Sequence, residues 1–315
     1  MLDTPIALFL FNRPQQTQRV FAEIARAKPR RLLIIADGPR RAEDVPKCAA
    51  AREVLDQIDW DCELLTNLSE TNMGCKPRML SGLAWVFEQC AEAIILEDDC
   101  LPHPAFFQFC SELLARYRDE PRVLAVSGNN FLSARMQGRM RASYYFSHQP
   151  LTWGWASWRR VWQLYDPLIK DWPAVRETDW LAHRLPHPQF EAYWQKIFDE
   201  TYRQETNAWD YQLTFAGWRH ESLSIVPRVN LVSNIGFGAE ATHTFDAQCH
   251  LAAMPACGLE FPLTHPARLE RDLAADELTF RRNFLAQPEP PPLWRRALGK
   301  ARRVTRRVFQ LPRAT

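Results

Sequence analysis

Along the first 127 residues, short apolar runs alternate with stretches in which apolar side chains return every three or four positions. The run Ile6 to Phe11 is closed by Asn12, Arg13 and Pro14, and helical spacing follows in Val20, Phe21 and Ile24. A second run, Leu32 to Ala36, ends in the turn signal Asp37-Gly38-Pro39. The pattern then predicts a helix over 49–58, a strand over 62–66, a loop holding Asn72 and Gly74, and a helix with Met79, Leu80, Leu83 and Phe87 on one face. Ala93 to Leu96 is the next apolar run. After it Pro104 opens a helix carrying Phe106, Phe107, Cys110, Leu113, Leu114 and Tyr117, and Val123 to Ser127 is a fifth strand. Strands and helices alternating in this way predict an α/β fold with a helix-flanked, mostly parallel sheet.

Beyond Gly128 the alternation stops. Strand-like pieces at 144–147 and 224–232 surround a stretch rich in tryptophan, with Trp153, Trp155, Trp158, Trp162, Trp172 and Trp180. Trp162 and Trp172 have apolar company in Val161, Leu164 and Leu168 and read as core, whereas Trp153 and Trp155 flank Gly154 in an expected loop where indole faces can stack on sugar rings. A Pro-rich spacer follows at 286–293. The expected organisation is one domain over 1–287, in two halves at 1–130 and 131–287, then a spacer and tail over 288–315.

The chain has 315 residues, 46% of them hydrophobic and 24% charged, ordinary values for a globular domain. Its eight cysteines include no C-x-x-C pair, which argues against a zinc ribbon or a disulfide scaffold and favours reduced thiols in a cytoplasmic protein. The net charge of +2 conceals an asymmetry: residues 290–315 hold eight Lys or Arg and no acid, so the remainder is net acidic. In that tail Trp294, Leu298, Ala301, Thr305 and Val308 recur at helical steps among arginines, a basic amphipathic pattern suited to an anionic membrane surface at the inner face of the cell membrane. The acidic body opposes nucleic-acid binding, and no nucleic-acid partner is expected.

The most informative stretch is ILEDDCLP, where a buried-looking run ends in Glu97, Asp98 and Asp99. Open α/β sheets bind ligands in the crevice beyond the carboxyl ends of their strands, and clustered carboxylates suit magnesium or manganese. A solvated acidic loop is the competing reading. If the extended path persists past the strand, alternation places Glu97 and Asp99 on one side and Asp98 on the other. Two other strand ends carry charge. Asp37 can accept from the uracil N3–H if the ligand is a uridine nucleotide, and Arg13 can then meet its diphosphate or base as a fixed cation. Asp210, between Trp209 and Tyr211, is a carboxylate among aromatics at an expected helix start, suited either to general-base chemistry or to stabilising the helix dipole.

Taken in order, FNRP, ADGP, NMGCKPR and EDD at the strand ends, then FSHQPLTWGWASW and AWDYQLTF, resemble the motifs of GT-A glycosyltransferases of the N-acetylglucosaminyltransferase I-like group, over about residues 5–245. The resemblance implies a Rossmann-like three-layer α/β/α sandwich and a metal-dependent, inverting transfer of a hexosyl or N-acetylhexosaminyl group. The donor would be a nucleotide-diphosphate sugar, a UDP-sugar by expectation, and the acceptor a glycan or lipid-linked glycan in polysaccharide or lipopolysaccharide biosynthesis. By the same resemblance Asp99 ligates Mn2+ or Mg2+, and Glu97 and Asp98 serve the ribose or metal-bound water. Asp210 deprotonates the acceptor, Trp153, Gly154, Trp155 and Trp209 contact substrate, and His243 is a late metal ligand or phosphate contact. The family's cationic position after the third strand has Lys76 and Arg78 as its nearest counterparts, of which Lys76 is assigned to the nucleotide.

Two other classes remain open. A sugar-phosphate nucleotidyltransferase shares the layered sheet and acidic site but would want a Gly-rich turn where Asn12, Arg13 and Pro14 stand. A non-catalytic carbohydrate-binding protein would need only the Trp loop.

Overall fold

The computed structural model describes residues 1–185, 187–237 and 251–284, and the Pro-rich spacer, the basic tail and His243 lie outside them. The first half builds β1 (Ile6–Leu10), α1 (Pro14–Ala27), β2 (Arg31–Ala36), α2 (Asp44–Arg52), β3 (Glu63–Leu68), α3 (Cys75–Gln89), β4 (Glu92–Glu97), β5 (Cys100–Pro102), α4 (Ala105–Arg116) and β6 (Val123–Ser127). The expected helix over 49–58 divides into the end of α2 and a 3-10 turn, Glu53–Gln57.

The second half adds α5 (Ala134–Gln137), β7 (Tyr144–Ser147), β8 (Trp155–Trp158), α6 (Arg159–Trp162), α7 (Trp172–Arg176), α8 (Trp180–Arg184), α9 (Pro188–Tyr202), α10 (Asp210–Arg219), β9 (Leu223–Pro227), β10 (Val232–Asn234) and α11 (Leu273–Asn283). Among these residues no helix is long and apolar enough to cross a membrane.

Eight strands form one mixed sheet in the order β3-β2-β1-β4-β8-β6-β9-β7, and β10 pairs antiparallel with β5 in a small second sheet. The four strands β3, β2, β1 and β4 are mutually parallel. The chain steps in one direction along the sheet from β1 to β2 and in the other from β3 to β4, so right-handed crossovers place α1 and α3 on opposite faces. On its face α1 lines a shallow groove with α4, while α3 packs on β1 and β4 beside α6. The result is a Rossmann-like three-layer α/β/α sandwich. Strands β1 and β2 are almost wholly buried, which explains why they read as continuous apolar runs and not as alternating ones.

Two expectations for the second half are corrected. The single strand expected over 224–232 is two strands in different sheets: Pro227 lacks an N–H to continue the ladder, and β10 leaves for β5. The expected Trp-Gly-Trp loop is partly a strand, because Trp155 opens β8, which lies between β4 and β6 and pairs antiparallel with both. Beside this sheet, α7 to α11 enclose a second aromatic core around Trp172, Trp194, Phe198, Phe215 and Trp218.

Candidate functional site

The carboxyl ends of β1, β2 and β4 open toward the first turn of α3 and enclose a cavity of about 250 Å³. Phe9, Leu10, Ile35 and Met79 supply its apolar wall, and Asn12, Arg13, Asp37, Arg40, Arg78, Glu97 and Asp98 its polar one. Asn207, from the loop between α9 and α10, reaches the same cavity from the second half of the chain.

The acidic run sits where β4 ends. Phe9 of β1 is in register with Glu97, so the residues just past each strand end meet. Phe11 N donates to Asp98 Oδ2 at 3.0 Å, and Arg13 Nη1 donates to Asp98 Oδ1 at 3.2 Å and also to Asp99 Oδ2. The expected alternation of the three acids does not persist, because a turn at 98–99 brings Asp98 and Asp99 onto one guanidinium. Burial raises the pKa of Glu97 above the usual carboxylate range, and the neighbouring charges of Asp99 and Asp98 raise it further. Burial raises Asp98 as well, with Arg13 pulling it back. Against the cost of its own burial, Arg13 is held protonated by Asp98 and Asp99. Gly236 closes over this corner, where any side chain would collide with the Asp99 carboxylate.

Asp37 lines the cavity, but its carboxylate is fully engaged. Oδ1 accepts from Gly38 N and Met73 N at 2.9 Å each, and Oδ2 from Asn72 Nδ2 at 2.9 Å and Gly74 N at 3.0 Å. A carboxylate offers about four acceptor sites, so none is left for the expected base contact. The residue fastens the loop that leads into α3.

The structure separates Arg78 from Lys76, the residue expected at the nucleotide. Arg78 lines the cavity, with Nη2 bonded to Asn67 and a buried Nε that has no partner among the described residues. Lys76 turns away from the cavity, and its Nζ donates to Gln204 Oε1 at 3.1 Å. For Arg78 the sequence offers only a partial signal: its place just after Gly74 at a helix start puts a cation near the strand ends, without deciding between Lys76 and Arg78. Arg40, which stacks over the Phe11 ring at 5.0 Å, and Asn207 carry no such signal.

Asp210 is the first residue of α10, where the helix dipole favours an acid. Its charge acts on Glu97 and on Cys75, whose thiol is pushed up to about 12 chiefly by burial, so it stands near the acidic corner without lining the cavity. The tryptophans divide. Trp155 and Trp209 are buried and pack on each other with ring centroids 5.6 Å apart, so neither offers a face to a sugar. Trp153 is half-buried between Phe131 and Phe237, at 5.1 and 5.7 Å. Gly154 has a positive φ of 63° and lies against Val232, which explains glycine at that position. Among the described residues no three His, Cys, Asp or Glu side chains are already gathered in coordinating geometry.

No protein-family model matches the chain, and no curated protein matches it. Among solved structures, that of UDP-glucose pyrophosphorylase complexed with UDP-glucose is matched at 10% identity and a TM-score of 0.25, over 47% of this chain and 63% of that one. A likeness of that size carries no argument about the site.

Proposed function

We propose that the protein is a metal-dependent glycosyltransferase that moves a sugar from a nucleotide-diphosphate donor to a glycan or lipid-linked glycan, by inverting displacement. The observation that carries this reading is the meeting of Arg13 with Asp98 and Asp99 where β4 ends, beside a cavity that Arg13, Glu97 and Asp98 line from one half of the chain and Asn207, in the loop that leads to Asp210, lines from the other. The apolar wall beside it, Phe9, Ile35 and Met79, suits a nucleobase, with Arg78 and Asn207 as polar contacts.

The donor set fits a hard divalent ion. Two carboxylates, Asp98 and Asp99, share one guanidinium, and Glu97 is raised first by burial and then by the charges of Asp99 and Asp98, a repulsion that a dication would relieve. Magnesium and manganese take one or two protein carboxylates and complete their shell with water and phosphate oxygens, so Asp99 with Glu97 or Asp98 would suffice. Bound there, the ion would act as a Lewis acid toward the departing diphosphate. Arg13 adds a fixed positive charge beside that group, Asp210 accepts the acceptor's hydroxyl proton, and Trp153 flanks the acceptor.

A nucleotidyltransferase is the second reading, supported by the layered sheet and acidic site, though Asn12-Arg13-Pro14 replaces a phosphate-cradling glycine turn. The basic segment 288–315 fits peripheral docking on an anionic membrane, which would bring the site to a lipid-linked acceptor. The deciding experiment incubates the full chain and manganese with a panel of nucleotide sugars, scoring nucleoside diphosphate release. Release with sugar transfer or hydrolysis supports the transferase. Formation of nucleoside triphosphate only when pyrophosphate is added would replace it with the nucleotidyltransferase.

A further inference from the structure

Lys76 is 8% exposed, yet among the described residues it makes no ion pair. A buried ammonium left without a carboxylate is costly, and burial lowers its pKa below the usual lysine value. Its partners are instead two amides from beyond α9. Nζ donates to Gln204 Oε1 at 3.1 Å. With the amide of the fully buried Gln212 oriented to satisfy both of its ends, Gln212 oxygen accepts from Nζ at 3.0 Å and its nitrogen donates to Trp209 O at 3.1 Å.

Both amides are themselves anchored. Gln204 adopts a left-handed backbone, φ 59°, at the end of α9 and donates to Thr201 O at 2.8 Å, while Tyr165 OH donates to Trp209 O at 2.8 Å. The segment so held, 203–212, carries Asn207 into the cavity and sets Asp210 at the start of α10. On the other side Lys76 belongs to the first turn of α3, whose neighbours Gly74, Cys75 and Arg78 line the same cavity.

We infer that Lys76 is a positioning residue: it does not touch the donor but ties segment 203–212 to α3, so that the donor cavity and the Asp210 carboxylate are held as one unit. The inference rests on the transferase reading for the role of Asp210, but not for the tie itself. An ammonium suits the task because it donates in three directions to neutral oxygens. Its charge, uncompensated by carboxylates among the described residues, also favours the approach of an anionic donor to the neighbouring cavity.

The test compares the full-length wild type with Lys76→Met and, as an independent cut at the other end of the tie, Gln204→Ala. Amide hydrogen exchange is followed by mass spectrometry without any ligand. Both variants should exchange about tenfold faster across 203–212, the scale of one or two lost hydrogen bonds, while β4 and β1 remain protected. Unchanged exchange in 203–212 for both variants would overturn the tie. With a donor that the wild type turns over, kcat should fall about tenfold or more while the donor KM stays within about threefold. A raised donor KM at unchanged kcat would place Lys76 on the donor and overturn the positioning role. A wild type that transfers no sugar would count against the transferase reading alone, since the exchange measurement would still decide the tie.

Discussion

Arg13 and Asp98, 85 residues apart in sequence, meet at 3.2 Å because β1 and β4 are adjacent and parallel and both end at the same level of the sheet. The pair is largely buried, with side-chain exposures of 13% and 7%. Removing one partner of such a pair leaves the other charge unmatched, which typically costs about 3–5 kcal/mol. Arg13→Met should therefore lower the unfolding free energy by an amount near the bottom of that range, since Glu97 and Asp98 can take up protons in response. Urea unfolding with and without manganese checks this. The metal should restore part of the loss, and an equal deficit in both conditions would argue against a cation site at these acids.

Asp99→Asn should abolish manganese-dependent binding of nucleoside diphosphate while leaving the fold intact, because the carboxylate sits past the end of β4 on Arg13, partly exposed, and not in the apolar core. Isothermal titration with UDP and other nucleoside diphosphates, alongside circular dichroism, measures both. Unchanged affinity for the metal-nucleotide complex would remove Asp99 from the metal site.

Asp210→Asn keeps the size of the side chain and its place at the head of α10 but removes the proton acceptor. Donor binding should survive, and transfer should fall by the roughly 100-fold to 10,000-fold that accompanies loss of a general base. Comparable rates in the two proteins would confine Asp210 to a helix-dipole role.

Asp37→Ala leaves three backbone N–H groups and the Asn72 amide without their acceptor. The expected result is a loss of about 2–3 kcal/mol in stability, the desolvation cost of unsatisfied donors, with faster hydrogen exchange centred on 72–75. A variant with wild-type stability but altered preference among nucleotide bases would instead identify Asp37 as a base reader.

His148 predicts the pH behaviour of the fold. Its Nδ1 lies 2.5 Å from Asp276 Oδ2, its ring packs on Trp218, and Ser147 and Arg271 complete the surroundings of Asp276. Burial lowers the pKa of His148 below 6.5, the charge of Asp276 opposing this, and Arg271 adds repulsion. The unfolded chain then binds a proton near pH 6.5 that the folded chain refuses until lower pH. Its contribution is thus present above that value and lost as pH falls through the window below it. Asp276 is itself held low, so its contribution is likewise lost, at still lower pH. Glu97 and Asp98, raised in the folded chain, act in the opposite sense over this range and are the same in both proteins, so the test is the difference. Between pH 7 and pH 5, His148→Gln should lose less melting temperature, or gain more, than the wild type. An equal change in the two proteins would assign the acid sensitivity elsewhere.

Much of the fold was legible because a buried parallel strand has to be apolar throughout, and the runs at 6–11, 32–36, 93–96 and 123–127 are nearly the observed strands. The acids at 97–99 announced themselves for a related reason, since charge directly after a buried strand has no role in a core. What the chain alone could not decide was the use of each polar group. Asp37 at a strand end could face a ligand or its own loop, and only the path of 72–74 shows that the loop takes all of its acceptor sites. Lys76 and Arg78 stand two residues apart on a helix, hence on different faces, and which one meets the cavity depends on how α3 is rotated against β1. Trp155 read as exposed because glycine beside it suggested a loop, whereas the gap between β4 and β6 draws it into the sheet. Local pattern reports burial and period, which are properties of a segment. The partners of a charged or amide side chain are set by contacts distant in sequence, and those exist only once the layers have packed.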